Sequence, residues 1–168
     1  TEQKYHNFIM RDQFVDCYHV PSIKTKEILS KITKKRIEVI SYWLNDKFWQ
    51  PIEREKALSY LNLPREDFYI GSFQRDTEGH DLKSPKLEKG PDLFCDYIEK
   101  HYSDKKNLHI VLGGWRRQYV INRLENSKIK YSLFERTDLK SLKYLYAICN
   151  LYVVASRHEG GPQSIIEA

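Results

Sequence analysis

Short apolar runs alternate with stretches of helical spacing along most of the chain. From residue 37 onward, β-branched and aromatic residues predict strands at 37–41, 68–73, 108–112, 131–135 and 151–155. Apolar residues at i, i+3 and i+4 predict helices at 53–61, 91–102, 116–125 and 138–149, and Pro162 opens another. Such alternation is typical of βαβ units. It predicts an α/β fold, a parallel sheet with helices on both faces.

The first 36 residues follow a different pattern. A strand-like run at 14–20 precedes a turn at Pro21 and Ser22, and a basic helix is predicted at 23–32. Two interpretations stay open for this segment: the tail of a preceding domain, or a linker local to the domain that follows.

A long polar segment, residues 74–89, interrupts the alternation after the strand at 68–73. Loops beyond about 12 to 15 residues inside a compact domain are usually functional or disordered. The segment follows a strand, so we expect it at the carboxyl edge of the sheet, where open α/β folds bind ligands. A tethered surface insertion and a ligand lid are the two alternatives.

Composition excludes a disordered chain and favours one soluble domain. The 168 residues are 40% hydrophobic, with 28 Lys and Arg against 23 Asp and Glu, a net charge of +5. The lysines are scattered and no recognition motif accompanies them, so a nucleic-acid partner is not expected. No apolar run reaches the roughly 18 residues of a membrane span, and no secretory signal is evident. We therefore expect a cytoplasmic location.

Several enzyme classes lack their signatures in this sequence. The chain contains neither the G-x-G-x-x-G of dinucleotide-binding domains, nor a P-loop, nor the G-x-S-x-G of serine hydrolases. Its six histidines show no ligand spacing and no D-x-D occurs, so we expect neither a metal nor another cofactor.

The candidate chemistry lies at the end of the predicted fold, in residues 156–168. A strand, a Gly-containing turn and a helix start present backbone N–H groups that suit an anion such as phosphate. Glu159 lies in the turn and Glu167 in the helix, so two carboxylates bracket this site. A carboxylate accepts from two hydroxyls at once, and a diphosphate flanked by vicinal diols, a nucleotide sugar, fits this arrangement.

These residues resemble a known family. Residues 156–168 match S-x-x-E-G-x-x-x-x-x-x-E-A, the double-Glu motif of the family-4 retaining glycosyltransferases (glycosyl transferases group 1), which have the GT-B fold. The strand at 68–73 with Arg75, the segment 88–94 with its Lys-Gly pair, and residues 139–155 are also similar to that family. The resemblance covers residues 37–168 and implies the C-terminal, Rossmann-like domain that binds the nucleotide sugar.

The resemblance also implies roles for individual residues. Glu159, Arg75 and Lys89 would be catalytic: Glu159 would hold hydroxyls of the donor sugar, and the two cations would stabilise the leaving diphosphate in place of a metal. Glu167 would hold the ribose hydroxyls. The remaining donor-binding residues would be Gly71, Ser72, Gly113, Gly160, Gly161, Gln163 and Ser164.

The sequence departs from the family pattern in two places. Gly161 and Pro162 stand where the family has an aromatic residue and a glycine, which alters the expected sugar contacts. Thirteen residues separate Arg75 from Lys89, more than the family has, so Lys86 is an alternative phosphate ligand. The turn after the strand at 108–112 holds Gly113, Arg116 and Arg117; either it binds phosphate or it is a connection with exposed arginines.

The implied activity is transfer of a hexose, with retention, from a nucleotide sugar to a hydroxyl of a glycan or lipid-linked acceptor in polysaccharide biosynthesis. The chain would be an incomplete enzyme: a fragment of the C-terminal donor-binding domain, at residues 37–168, that is truncated at its own C-terminus, with the N-terminal acceptor domain mostly missing. The expected location stays cytoplasmic, and the intact enzyme could be peripheral at the inner face of the membrane. The alternative function is a non-catalytic module that binds a nucleotide or, through its basic surface, nucleic acid.

Overall fold

The computed structural model describes residues 2–168, which form two compact units. Of the described residues, the smaller unit comprises 2–43 and Glu159–Gln163, and the larger comprises Leu44–His158 and Ser164–Ala168. The smaller unit contains helices α1 (Glu2–Asp12) and α2 (Ile23–Leu29) and strands β1 (Cys17–Val20) and β2 (Arg36–Val39).

In the smaller unit, β1 and β2 form a parallel two-stranded sheet. Val20 and Ile37 are the apolar residues buried in it, and Ser22 caps α2 by accepting a hydrogen bond from the N–H of Thr25 at 3.2 Å. The predicted strand at 14–20 and helix at 23–32 therefore form, both in shorter versions. The strand predicted at 37–41 also forms, but the prediction that it joins the large parallel sheet is wrong, because it pairs with β1.

The larger unit is built on a four-stranded parallel sheet. Its strands are β3 (Phe68–Ser72), β6 (Leu108–Gly113), β7 (Tyr131–Phe134) and β8 (Leu151–Tyr152), in the order β7-β6-β3-β8. All three neighbouring pairs are parallel. The predicted α/β fold with a parallel sheet is thus confirmed, although β8 is two residues long where five were predicted.

Helices pack on both faces of this sheet. They are α3 (Arg54–Leu61), α4 (Pro91–Tyr102), α5 (Gln118–Asn126) and α6 (Leu139–Ile148). Successive strand residues point to opposite faces: Ile70 and Ile110 pack in the core formed with α4 and α5, and Tyr69 and Val111 pack in the core formed with α3 and α6. All four of these strand residues are fully buried.

The long segment between β3 and α4 is a tethered hairpin. It contains β4 (Thr77–Glu78) and β5 (Ser84–Pro85), paired antiparallel, and a 3₁₀ turn at Leu87–Lys89. The N–H groups of Asp76 and Thr77 both donate to the carbonyl of Arg116, and the N–H of Lys86 donates to the carbonyl of Asp76 at 2.8 Å. Of the two alternatives from the sequence, the structure favours the tethered insertion. The final helix, α7, spans Gln163–Glu167.

Candidate functional site

The parallel strands of the larger unit all end at one edge of the sheet. The residues that follow β3, β6 and β8 belong to the segments that the sequence marked as candidates: the hairpin segment 74–89, the turn 114–117 and the segment 153–158. This carboxyl edge is where open α/β sheets bind their ligands.

A buried arginine, Arg117, ties the ends of two strands together. Its Nη1 donates to the carbonyl oxygens of Ser72 and Gly113, and its Nη2 donates to the Ser72 hydroxyl at 3.0 Å. Its side chain is 0% exposed, and its Nε donates to Asp76. The interpretation of this turn as carrying exposed arginines is therefore wrong for Arg117. Ser72 and Gly113, both predicted to bind the donor, have these oxygens occupied by Arg117.

Asp76 is the counter-ion of Arg117. The Thr77 hydroxyl donates to Asp76 at 2.6 Å and in turn accepts the N–H of Tyr119 at 2.9 Å. Burial raises the pKa of the Asp76 carboxyl, and the charge of Arg117 opposes that rise. The pair therefore anchors the base of the hairpin to the sheet and to the start of α5.

Arg75 directly follows this anchor and is half-buried. Its Nε donates to the carbonyl of Thr77 at 3.0 Å, and its guanidinium lies 5.5 Å from the centre of the Trp115 ring. The guanidinium of Arg116 lies 5.1 Å from the same ring. An exposed tryptophan thus stands beside two cations, which together make this part of the edge positive.

Lys89 is joined to the chain beside Arg75 through Gln74. The side chain of Gln74 donates to the carbonyl of Lys89 at 2.8 Å and accepts from the Ser156 hydroxyl at 3.2 Å. Residues 74 and 89 are therefore neighbours in space although they are far apart in sequence. The alternative phosphate ligand, Lys86, forms an ion pair with Glu88 at 2.8 Å, which offsets its charge.

Gly90 brings the Lys89 turn against the chain that follows β8. It has φ +61, and a Cβ added there would overlap the carbonyl oxygen of Ala155. Arg157 completes the contact: its N–H donates to the carbonyl of Glu88, and its guanidinium makes two hydrogen bonds to Asp92. These hydrogen bonds hold the pKa of the Asp92 carboxyl below its usual value.

Glu167 lies in a different setting at the other end of the motif. Its Oε2 accepts a hydrogen bond from the Tyr146 hydroxyl at 2.9 Å. Both residues line a cavity of about 440 Å³ together with Trp49 and Lys143. Ser164, on the same short helix, contacts the Tyr152 hydroxyl.

The other motif residues belong to the smaller unit. Glu159, Gly160, Gly161 and Gln163 all fall within it, whereas Ser164 and Glu167 belong to the larger one. A Cβ on Gly160 would lie 3.4 Å from Cγ of Pro21, and Gly161 has φ +143, a conformation that favours glycine. The paired action of the two glutamates stays a prediction.

A second cavity lies at the ends of β6 and β7. It has a volume of about 220 Å³ and is lined by Phe73, Gly113, Gly114, Trp115, Arg136, Thr137 and Leu142. Phe73 also contacts Tyr146, with ring centres 5.0 Å apart, so this cavity and the one beside Glu167 are neighbours. Gly71 lines neither cavity: a Cβ there would lie 2.5 Å from Sγ of Cys149, which gives this glycine a packing role.

Gln74 and Tyr146 were not predicted as site residues, and Arg117 was predicted in a different role. The sequence does mark Gln74, because it directly follows a predicted strand at the carboxyl edge. No local pattern marks the buried role of Arg117 or the hydrogen bond of Tyr146, since each depends on residues that are distant in sequence.

No group of three or more His, Cys, Asp or Glu within residues 2–168 could hold a metal ion. Over the same span, none of the helices has the length and apolar character that a bilayer crossing requires.

Comparison with solved structures identifies the fold. The chain resembles sucrose-phosphate synthase from Thermosynechococcus elongatus with a TM-score of 0.76 and 17% identity, covering 99% of this chain and 41% of that one. It resembles Anabaena HepE, solved in complex with UDP and glucose, with a TM-score of 0.77 and 14% identity, covering 100% and 46%. It also resembles a TarM variant from S. aureus, solved with UDP, with a TM-score of 0.67 and 17% identity, covering 99% of this chain and 30% of that one.

These neighbours are GT-B glycosyltransferases, and the larger unit has the fold of their C-terminal Rossmann-like domain. The chain spans less than half the length of each of the three. No protein-family model matches the sequence, and no curated protein matches it.

Proposed function

We propose that the larger unit binds a nucleoside diphosphate sugar and is the donor domain of a glycosyltransferase. The observation that carries the proposal is the hydrogen bond from Gln74 to the main-chain carbonyl of Lys89, which brings the segments that bear Arg75 and Lys89 together at the carboxyl edge. Arg75 lies over Trp115, which lines the cavity at the ends of β6 and β7. The likeness in fold to GT-B glycosyltransferases supports the proposal, and so does the UDP in two of the solved neighbours.

The two cations act on the diphosphate. Charge builds on the leaving nucleoside diphosphate as the bond to the sugar breaks and the sugar becomes oxocarbenium-like. Arg75 and Lys89 stabilise this charge, and Arg75 is already held by its hydrogen bond to the carbonyl of Thr77. Charged groups that are positioned before the reaction stabilise a transition state without reorganisation. In this proposal the two cations serve where other enzymes use a metal, and the sugar is transferred with retention.

The rest of the donor occupies the neighbouring features. The nucleobase lies in the 220 Å³ cavity beside Trp115, and Glu167 holds the ribose hydroxyls. Glu159 holds hydroxyls of the sugar. The remaining donor contacts come from Gly113, which lines this cavity, and from Gly160, Gly161, Gln163 and Ser164 of the motif. Gly71 and Ser72, also predicted as donor ligands, act through packing on Cys149 and through hydrogen bonds from Arg117 instead.

The acceptor is a glycan or a lipid-linked glycan, bound with the help of an N-terminal domain. We place the enzyme in the cytoplasm, in polysaccharide biosynthesis, and its smaller unit on the inner face of the membrane. Exposed apolar side chains of that unit, Phe14 at 83% and Ile23 at 69%, support the last point. So does its basic stretch 23–36, with six Lys and Arg against one Glu, because anionic lipids attract such segments.

Separate roles for the two glutamates give the first test. We expect Glu167→Ala to weaken binding of both UDP and UDP-glucose by about tenfold, since a hydrogen-bonded carboxylate is lost. Glu159→Ala should weaken UDP-glucose by a similar factor and leave UDP unchanged. Calorimetric titration of the folded variants measures both affinities.

Glu66→Ala provides the control, because Glu66 is exposed and precedes β3 at the opposite edge of the sheet. Equal losses for UDP and UDP-glucose in both glutamate variants would contradict the division of roles. Salt-sensitive binding of mixed DNA or RNA, without any nucleotide binding, would favour the non-catalytic alternative.

A further inference from the structure

The contact between Tyr146 and Glu167 has a role in the site that the proposed function leaves unassigned. We infer that Tyr146 is a positioning residue: its hydroxyl fixes the Glu167 carboxylate in the orientation that accepts the ribose hydroxyls of a nucleoside diphosphate. This inference rests on the proposed function and adds a residue from outside the double-Glu motif.

Tyr146 itself is held rigidly. Its side chain is buried, and its ring contacts the rings of Phe73 at 5.0 Å, Tyr152 at 5.1 Å and Trp49 at 5.8 Å. Three aromatic neighbours on separate segments leave the ring little freedom to rotate or shift. The hydroxyl is therefore a fixed donor at the wall of the larger cavity.

Glu167 has little else to orient it. It lies near the end of α7, which is five residues long and contains no buried residue. Within residues 2–168 its carboxylate forms one side-chain hydrogen bond, through Oε2 to Tyr146, which leaves Oε1 for hydroxyls of a ligand. Without the phenol, the glutamate would rotate freely about its side-chain bonds, and binding would have to restrict that motion.

The phenol also stays a donor at every relevant pH. Burial raises the pKa of Tyr146 far above its usual value, and the adjacent Glu167 raises it further. The hydroxyl therefore keeps its proton and donates a hydrogen bond to the carboxylate, whose other oxygen accepts from the ribose hydroxyls. The Glu167 carboxylate thus accepts hydrogen bonds from two sides, from Tyr146 on α6 and from the ligand.

Tyr146→Phe tests the inference, because it keeps the ring and removes only the hydroxyl. Binding is measured with UDP, GDP and ADP, and then with the 2′,3′-dideoxy form of each nucleotide that the wild type binds. We expect the variant to lose about fivefold or more in affinity for the natural nucleotide. Its affinity for the dideoxy form should change by less than about twofold, since that ligand makes no use of Glu167.

Tyr144→Phe is the matched control. Tyr144 lies on the same helix and stacks on Tyr60 with ring centres 4.0 Å apart, so its variant should bind both ligands like the wild type. Thermal unfolding of both variants shows that they are folded. A further variant, Glu167→Gln with Tyr146→Phe, should lose little more than Glu167→Gln alone.

The results distinguish a failure of the proposed function from a failure of the role inferred for Tyr146. A folded wild type that binds none of the three nucleotides overturns the proposed function and this inference with it. A wild type that binds, with Tyr146→Phe unchanged, overturns the inference alone. Equal losses for the natural and dideoxy forms also overturn it, because they would show a general structural effect on the cavity.

Discussion

Replacing Arg117 by methionine should lower the free energy of unfolding by about 3–5 kcal/mol, the range found when one partner of a buried ion pair is removed. The variant leaves Asp76, which is 1% exposed, without its counter-ion. It also leaves the carbonyl oxygens of Ser72 and Gly113 without the hydrogen bonds that Arg117 donates. The ends of β3 and β6 and the base of the hairpin would separate. Chemical denaturation of the purified protein measures the loss.

Arg116→Met is the control for this effect. Arg116 is adjacent in sequence and half-buried, and its guanidinium lies over the Trp115 ring, so its loss should cost less than about 1 kcal/mol. The double variant Asp76→Asn with Arg117→Met should be less destabilised than the sum of the two single variants, because the uncompensated charge is gone. An Arg117→Met protein as stable as the Arg116→Met protein would show that the pair is not a structural anchor.

Replacing Gly90 by alanine should cost about 2–5 kcal/mol, through two independent effects. The positive φ of Gly90 disfavours any residue with a Cβ by about 1–2 kcal/mol, and φ is +61 there. The added Cβ would also overlap the carbonyl oxygen of Ala155, and overpacking against backbone costs about 1–3 kcal/mol. Since Lys89 precedes this glycine, we expect the variant to lose nucleotide affinity as well as stability.

Gly114→Ala separates the two effects. Gly114 also has a positive φ, +90, but no atom lies within 4 Å of the position its Cβ would take. Its variant should therefore show the backbone strain alone, about 1–2 kcal/mol. If both glycine variants lost the same stability, the close approach of Gly90 to Ala155 would contribute nothing.

The regular elements of the larger unit could be predicted because their signals are local. The apolar spacing of α6 from Leu139 to Leu145 extends over about two turns of helix, and Pro91 marks the first turn of α4. Helix α1 was not predicted, although Tyr5, Phe8 and Ile9 follow helical spacing, and the structure buries none of its residues. Strand β2 was predicted in the wrong sheet, since strand pairing is decided by long-range contacts.

The candidate site also contains some residues that local sequence signals predict and others that depend on long-range contacts. Arg75 and Lys89 stand out because they flank a strand end and a Lys-Gly turn, features that the printed sequence contains. The burial of Arg117 could not be predicted from the sequence, because its partners lie up to 45 residues away and no short pattern marks a buried arginine. The hydrogen bond from Tyr146 to Glu167 joins residues that are 21 positions apart, and it could not be predicted from the sequence either.

Titration of the folded chain with UDP, GDP and ADP, each with and without an attached hexose and with NAD as the control ligand, tests the central claim most directly. The proposed donor site predicts saturable binding of one nucleoside diphosphate, weakened at least about tenfold by Arg75→Ala. Binding should be unchanged by Arg65→Ala, whose side chain is exposed and pairs with Glu55. Failure of the folded protein to bind any of these nucleotides, or binding that Arg75→Ala leaves intact, would contradict the account.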